Sequence, residues 1–140
     1  LTLDLSFNNL TSISLLSIHN LLLNNNNLEI IFCNINDQNT KLMNLNKNKL
    51  KGLGNLNCNN LYSIETFFFS NNLLKEIKED DFSKFFYLIE LDLSINNLSK
   101  IDSNAFRDLK SLKYLNLSFN KLELLEKNLT IPLISLMTFD

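Results

Sequence analysis

The 140-residue chain is short of the residues from which most catalytic and phosphate-binding sites are built. It contains one histidine, two cysteines, two glycines, one proline and no tryptophan. Two glycines cannot form a glycine-rich loop that cradles phosphate, and they also argue against flexible linkers. A single histidine with two distant cysteines does not match the ligand spacing of a metal site. We therefore expect no enzymatic activity, no cofactor and no bound metal.

Charge and hydropathy argue against two further kinds of partner. Lysines and arginines number 13 against 15 acidic residues, and the net charge of −2 gives no basic footprint for nucleic acid. No apolar run approaches the roughly 18–20 residues that span a bilayer. The chain does not open on a cleavable leader. We expect contact with a membrane only through a segment outside this chain.

Leucine and asparagine are in excess, with 32 and 25 copies, and both are placed periodically. The phrase LDLSINNLSK at 91–100 recurs as LDLSFNNLTS at 3–12 and as LNLSFNKLEL at 115–124. The shared pattern is apolar-x-apolar-x-x-Asn-x-Leu. It occurs six times, with first residues Leu3, Leu21, Met43, Phe67, Leu91 and Leu115. Successive starts lie 18, 22, 24, 24 and 24 residues apart, which predicts a single repeat array over 1–140.

Each copy of the pattern predicts a short strand followed by an inward turn. Alternating apolar residues bury one face of a strand, and a strand this short is covered only by stacked copies of itself. The turn brings backbone groups into an apolar interior, where each unpaired group costs roughly 1–3 kcal/mol. Asparagine offers both a donor and an acceptor for such groups. We therefore predict a structural ladder formed by Asn8, Asn26, Asn48, Asn72, Asn96 and Asn120.

The remainder of each unit carries further apolar positions. One of them follows the last leucine of the pattern by three residues, at Ile13, Ile31, Leu53, Ile77, Ile101 and Leu125. In the later units Phe82 and Phe106 come next. The arrangement resembles the 24-residue class of leucine-rich repeats found in Toll-like receptor ectodomains, small proteoglycans and insect adhesion proteins. The resemblance implies an α/β repeat solenoid, a horseshoe arc with one short parallel strand per repeat on its concave face and irregular or 3-10 segments on its convex face.

The array is irregular near its start and lacks recognisable caps. The unit that starts at Leu3 has no room for a convex segment with phenylalanine, and 32–40 lacks apolar residues at the expected positions. Degeneration is favoured over a functional insertion, because these units are shorter than the others. Near the other end, Leu133, Leu136 and Phe139 fall into the register of a seventh strand. We expect an uncapped fragment of a longer protein, whose exposed ends can self-associate.

The strand residues that point away from the core form the candidate binding surface. Six strands at about 4.8 Å spacing make a face on the order of 25–30 Å long, which suits a protein ligand better than a small molecule. Phe68 is the leading candidate because Phe67 and Phe69 must point inward, although a single exposed apolar residue needs no function. The candidate residues are Asp4, Leu22, Asn44, Lys47, Glu65, Phe68, Glu90, Asp92, Tyr114 and Asn116.

The cysteines and the glycosylation sequons leave the cellular compartment open. Cys58 takes the place of the convex phenylalanine, whereas Cys33 stands at a different position of its unit, so the spacing favours two unbonded thiols over a disulfide. Sequons for N-glycosylation stand at Asn9, Asn97, Asn116 and Asn128. Their number is about what chance gives a chain this rich in asparagine, serine and threonine.

The resemblance implies a receptor or adhesion ectodomain at the cell surface, which binds a protein ligand or co-receptor in signalling or innate immunity. An intracellular, cytoplasmic scaffold or regulatory subunit that uses the same face is the alternative. A degenerate repeat with structural value only is a third possibility. The acidic pair Asp80 and Asp81 is expected to be a solvated turn rather than a catalytic site.

Overall fold

The computed structural model describes residues 1–15, 18–33, 39–58, 61–123, 129 and 138–139. Within these ranges the chain forms twelve short strands, one 3-10 helix at Leu53–Asn55 and no α-helix. None of the helical structure in these ranges is long and apolar enough to cross a bilayer.

Seven strands form one long parallel sheet. Numbered along the chain, they are β1 (Thr2–Asp4), β3 (Asn20–Leu22), β5 (Leu42–Asn44), β7 (Thr66–Phe68), β9 (Glu90–Asp92), β11 (Tyr114–Asn116) and β12 (Thr138–Phe139). Their order in the sheet is their order in the chain. Leu91 of β9 stands in register with Phe67 on one side and Leu115 on the other, and all three are buried. The predicted leucine-rich-repeat solenoid is therefore confirmed.

The segments that return the chain from one strand of this sheet to the next are more regular than predicted. Three of them form a second parallel sheet of β2 (Ser12–Leu15), β4 (Ile30–Cys33) and β6 (Leu56–Cys58). Two others, β8 (Glu76–Ile77) and β10 (Lys100–Ile101), pair with each other. The first two units are too short for the longer detour that carries phenylalanine in later units. Within the described ranges their return segments contain the extended strands β2 and β4.

The third unit shows where the register read from the sequence is wrong. Counting from the ladder asparagine aligns Leu53 with Ile31, but in the structure Ile31 pairs with Leu56. The 3-10 helix Leu53–Asn55 takes up the three intervening residues before β6 begins. A short local helix thus shifts the return strand by three positions relative to its neighbour.

This shift also corrects the prediction for the cysteines. Cys58 is buried and disulfide-bonded, so the expectation of two unbonded thiols is wrong. Cys33 is the only other cysteine of the chain, and its backbone lies opposite Cys58 in the pairing of β4 with β6. Simple counting had placed the two residues at different positions of their units.

Phenylalanine rings in contact with one another join the later units through the core. The ring centroids of Phe67 and Phe85 lie 5.1 Å apart, and those of Phe85 and Phe82 lie 5.5 Å apart. Phe82 in turn lies 5.7 Å from Phe106 of the next unit. All four side chains are buried. Tilted and edge-on aromatic pairs of this kind add about 0.5–1.5 kcal/mol each to the burial of their area.

The asparagines of the repeat pair with the backbone of the preceding unit. Asn96 Oδ1 accepts the N–H of Leu74 at 3.0 Å, and its Nδ2 donates to the carbonyl oxygen of Phe69 at 3.0 Å. The same contacts to the preceding unit recur at Asn26, Asn48, Asn72 and Asn120. Asn8 lies in the first unit, is exposed, and donates to two carbonyls of its own unit. These bonds hold successive turns together where the chain enters the core.

Candidate functional site

The candidate surface is the outward side of the seven-stranded sheet. Since Leu91 is buried, its neighbours Glu90 and Asp92 point to the opposite side of the sheet. Two columns of side chains cross the strands there. The first holds Asp4, Leu22, Asn44, Phe68, Asp92 and Asn116. The second holds Thr2, Asn20, Leu42, Thr66, Glu90 and Tyr114.

The acidic and amide residues of the first column also close the turns at the ends of their strands. Asp92 Oδ1 and Asn116 Oδ1 each accept the N–H of the serine two residues later, at 2.9 and 3.0 Å. Asn44 makes the equivalent contact. At Asp4 the hydroxyl and the N–H of Ser6 both donate to the carboxylate, and they hold the pKa of Asp4 below its usual value. Aspartate and asparagine close the turn equally, so the turn does not need the charge of Asp92.

Five of the candidates surround one shallow hollow. Its volume is about 180 Å³, and its lining residues are Phe68, Glu90, Leu91, Asp92, Tyr114, Leu115 and Asn116. Leu91 and Leu115 contribute only backbone atoms to its floor, because their side chains point into the core, while Tyr114 is 44% exposed. The hollow thus combines a floor of strand backbone, aromatic and amide walls, and two carboxylates.

The remaining candidates lie elsewhere on the surface. They are Asp4, Leu22, Asn44, Lys47 and Glu65. Glu65 lies just before β7, and its Oε1 accepts a hydrogen bond from Lys41 Nζ at 2.6 Å. Both side chains are well over a third exposed, so this ion pair contributes only about 0–1 kcal/mol to stability. Its partner nevertheless neutralises the charge of Glu65.

Lys47 belongs to a third set, which we call the left-handed column. In this column one residue per unit, immediately before the ladder asparagine, has a φ angle between 51° and 57°. The members are Phe7, Asn25, Lys47, Asn71, Ile95 and Phe119. Asparagine tolerates this backbone conformation, whereas a β-branched residue is strained in it. Ile95 is nonetheless there and is 49% exposed.

The sequence does not predict the positive φ angle of Ile95. The available signal was its place directly before Asn96, since the ladder predicts a turn at that point in every unit. The sign of φ depends on how the turn is built and cannot be read from the apolar pattern.

The glycosylation sequons differ in accessibility. Asn9 is exposed, while Asn97 and Asn116 are partly exposed. Asn128 lies outside the described residues, as do Leu125, Leu133 and Leu136. A glycan on Asn116 would stand at the edge of the hollow.

The acidic turn of the fourth unit is only partly solvated. Asp80 is exposed and lies 3.4 Å from Arg107 in an ion pair. Asp81 is half-buried, accepts the N–H of Lys78 at 2.8 Å, and has its pKa raised by that burial. The expectation of a solvated turn is therefore wrong for Asp81, which closes the turn. In the part of the chain that is described, no three histidine, cysteine, aspartate or glutamate side chains are grouped so that they could hold a metal ion.

Comparison with known protein families matches residues 86–139 to the leucine rich repeat. The matched stretch runs from the return segment before β9 to β12. It includes β9 and β11, two of the three strands that line the hollow. None of the curated proteins compared matches this chain.

Proposed function

We propose that the seven-stranded sheet of this leucine-rich repeat protein binds a protein ligand as part of a cell-surface receptor or adhesion ectodomain. Domains of this family are typically non-enzymatic modules that commonly bind proteins.

The hollow in the seven-stranded sheet is the observation that supports this proposal. Phe68 and Tyr114 line the hollow together with the polar side chains of Glu90, Asp92 and Asn116. Interface anchors are enriched in aromatic residues that sit among polar neighbours. The volume of about 180 Å³ lies below the roughly 300–1,000 Å³ of typical small-molecule pockets. A protein surface fits this site better than a free metabolite does.

The disulfide supports the extracellular setting. Disulfides persist in secreted and cell-surface proteins and are rare in the reducing cytosol. Cys58 is disulfide-bonded. The partly exposed sequon at Asn97 leaves room for a glycan that would not cover the hollow. Both features fit a chain that passes through the secretory pathway.

The binding proposal is tested by a screen of the 140-residue chain against panels of extracellular ectodomains and of cytosolic proteins. We expect a ligand from the ectodomain panel, whose affinity falls about tenfold or more in Phe68→Ala. Phe86→Ala is the matched control, because Phe86 is a 49%-exposed phenylalanine of a return segment that stacks on Tyr62. Equal losses in the two variants would contradict a role for the sheet. A ligand found only among cytosolic proteins would favour the scaffold alternative.

The compartment is tested on protein isolated from its native source. Mass analysis of the peptides that contain Cys33 and Cys58, after thiol alkylation with and without prior reduction, should show neither thiol alkylated before reduction and both alkylated after it. Glycan mass at Asn97 would add direct support. Two free thiols in the native protein would count against the extracellular setting.

A further inference from the structure

The seven-stranded sheet carries two unpaired negative charges at one place. Glu90 and Asp92 lie two residues apart on β9 and point to the same side, with their Cα atoms about 7 Å apart. Within the described ranges neither carboxylate belongs to an ion pair, in contrast to Glu65 with Lys41. Lys113, just before β11, is exposed and pairs with neither.

Each of these carboxylates has an aromatic neighbour on an adjacent strand. Asp92 stands in register with Phe68 of β7, and Glu90 stands in register with Tyr114 of β11. Neighbouring strands are about 4.8 Å apart, so each aromatic ring borders the space in front of a carboxylate. A cation placed there gains charge-assisted hydrogen bonds together with attraction to the ring faces.

The dimensions of the hollow fit a single long side chain. The aromatic side chains of Phe68 and Tyr114 can pack against the methylene stem of lysine or arginine, and the carboxylates beside them can bind its charged end. Asp92 Oδ1 already accepts the N–H of Ser94, which leaves Oδ2 for a ligand. The hollow therefore offers acceptors and aromatic faces but no cationic side chain in its lining.

We propose that this hollow receives a basic side chain, arginine or lysine, that projects from the protein partner. The inference rests on the proposed function, since it specifies which chemistry the sheet recognises. It predicts that the partner presents a positively charged residue at the centre of the interface.

The test is a titration of the isotope-labelled 140-residue chain, followed by NMR, with the peptide acetyl-Gly-Gly-Arg-Gly-Gly-amide. Its control peptide carries citrulline, which keeps the shape of arginine and removes the charge. We expect the arginine peptide to shift backbone signals of β7, β9 and β11, and the citrulline peptide to bind about tenfold more weakly. Glu90→Gln and Asp92→Asn should each weaken the arginine peptide several-fold.

The variants are chosen to keep the fold intact. Asn44 and Asn116 occupy the same column as Asp92 and close the same turn, so Asp92→Asn preserves that contact. Asp4→Asn is the matched control, because Asp4 shares the column but lies on β1, away from the hollow. The Asp4→Asn substitution should leave binding of the arginine peptide unchanged.

The outcomes separate this inference from the proposed function. Equal binding of the two peptides would overturn the selectivity for a basic residue and leave the sheet as a protein-binding face. Equal weakening by Asp4→Asn and Asp92→Asn would show general charge attraction and would also overturn it. Loss of the ectodomain ligand in Phe68→Ala, without any shift by the arginine peptide, would retain the function and reject the basic anchor.

Discussion

Asn96 and Asn97 are adjacent and chemically identical, but the structure gives them unrelated environments. Asn96 is 7% exposed and pairs with the backbone of its own and the preceding unit. Asn97 is partly exposed, and its backbone N–H donates to the carbonyl of Leu74. A shift of one residue in register would exchange the two environments.

Asn96→Ala should therefore destabilise the fold far more than Asn97→Gln does. The first change leaves the buried N–H of Leu74 without an acceptor and removes one of the two asparagine donors to each of the carbonyls of Phe69 and Leu93, which costs about 1–3 kcal/mol. The second should alter the free energy of unfolding by less than about 0.5 kcal/mol. Urea melts of both variants measure the difference. Similar losses in the two would contradict the ladder register.

Ile95 is a β-branched residue in the left-handed column, so its backbone is strained where that of Asn25 and Asn71 is not. Because asparagine tolerates a φ of 51°, Ile95→Asn should raise the free energy of unfolding by about 1 kcal/mol. The opposite change, Asn71→Ile in the same column, should lower it by a similar amount. Denaturant unfolding of both variants provides the check. Destabilisation by both substitutions would show that packing of Ile95 outweighs its backbone strain.

At the scale of elements, the 3-10 helix Leu53–Asn55 decides how the early units fit the later ones. It takes up three residues, pairs Ile31 with Leu56 and brings the backbone of Cys33 opposite Cys58. If those three residues continued as strand instead of forming a helix, Leu53 would stand opposite Ile31 and the cysteines would be out of register. A sequence pattern counted in fixed steps does not reveal such a local insertion.

Cys58→Ser should weaken the link between β4 and β6. A disulfide typically stabilises a fold by about 2–4 kcal/mol, chiefly because it restricts the conformations of the unfolded chain. We expect a loss of that size in urea unfolding of the variant. Reducing agent should produce a similar loss in the wild-type chain and none in Cys58→Ser. If the reducing agent left the wild-type chain unaffected, the disulfide would contribute nothing to stability.

At the scale of the whole molecule, burial is uneven along the solenoid. Met43, Leu45 and Phe67 are fully buried, whereas Leu3 and Leu5 of the first unit are only partly buried. Each unit is held mainly by its neighbours, and β1 pairs with β3 alone. Local stability should follow the same gradient.

Hydrogen exchange of the 140-residue chain should show this gradient. Amide protons that bond between β5, β7 and β9 should exchange at least about tenfold more slowly than those between β1 and β3. Exchange followed by NMR resolves the individual strands. Uniform protection along the sheet would mean that the array opens only as a single cooperative unit.

The residues of the hollow can be predicted from the sequence only in part. Alternation in a short strand predicts that Glu90, Asp92 and Tyr114 point to the outward side of the sheet. That they share one hollow with Phe68 depends on how three strands align, which pairing in the sheet decides. Periodicity assigns a residue to a face but does not say which of its neighbours leave space between them.

The stacked-repeat solenoid follows from the amino-acid sequence, because alternating leucines and a recurring asparagine permit burial only when units stack. Tertiary structure alone decided the pairing of Ile31 with Leu56, the disulfide at Cys58 and the left-handed backbone of Ile95. These features depend on contacts between neighbouring units and on the local path of the chain. Units of unequal length can meet such demands in several ways, and only packing selects one of them.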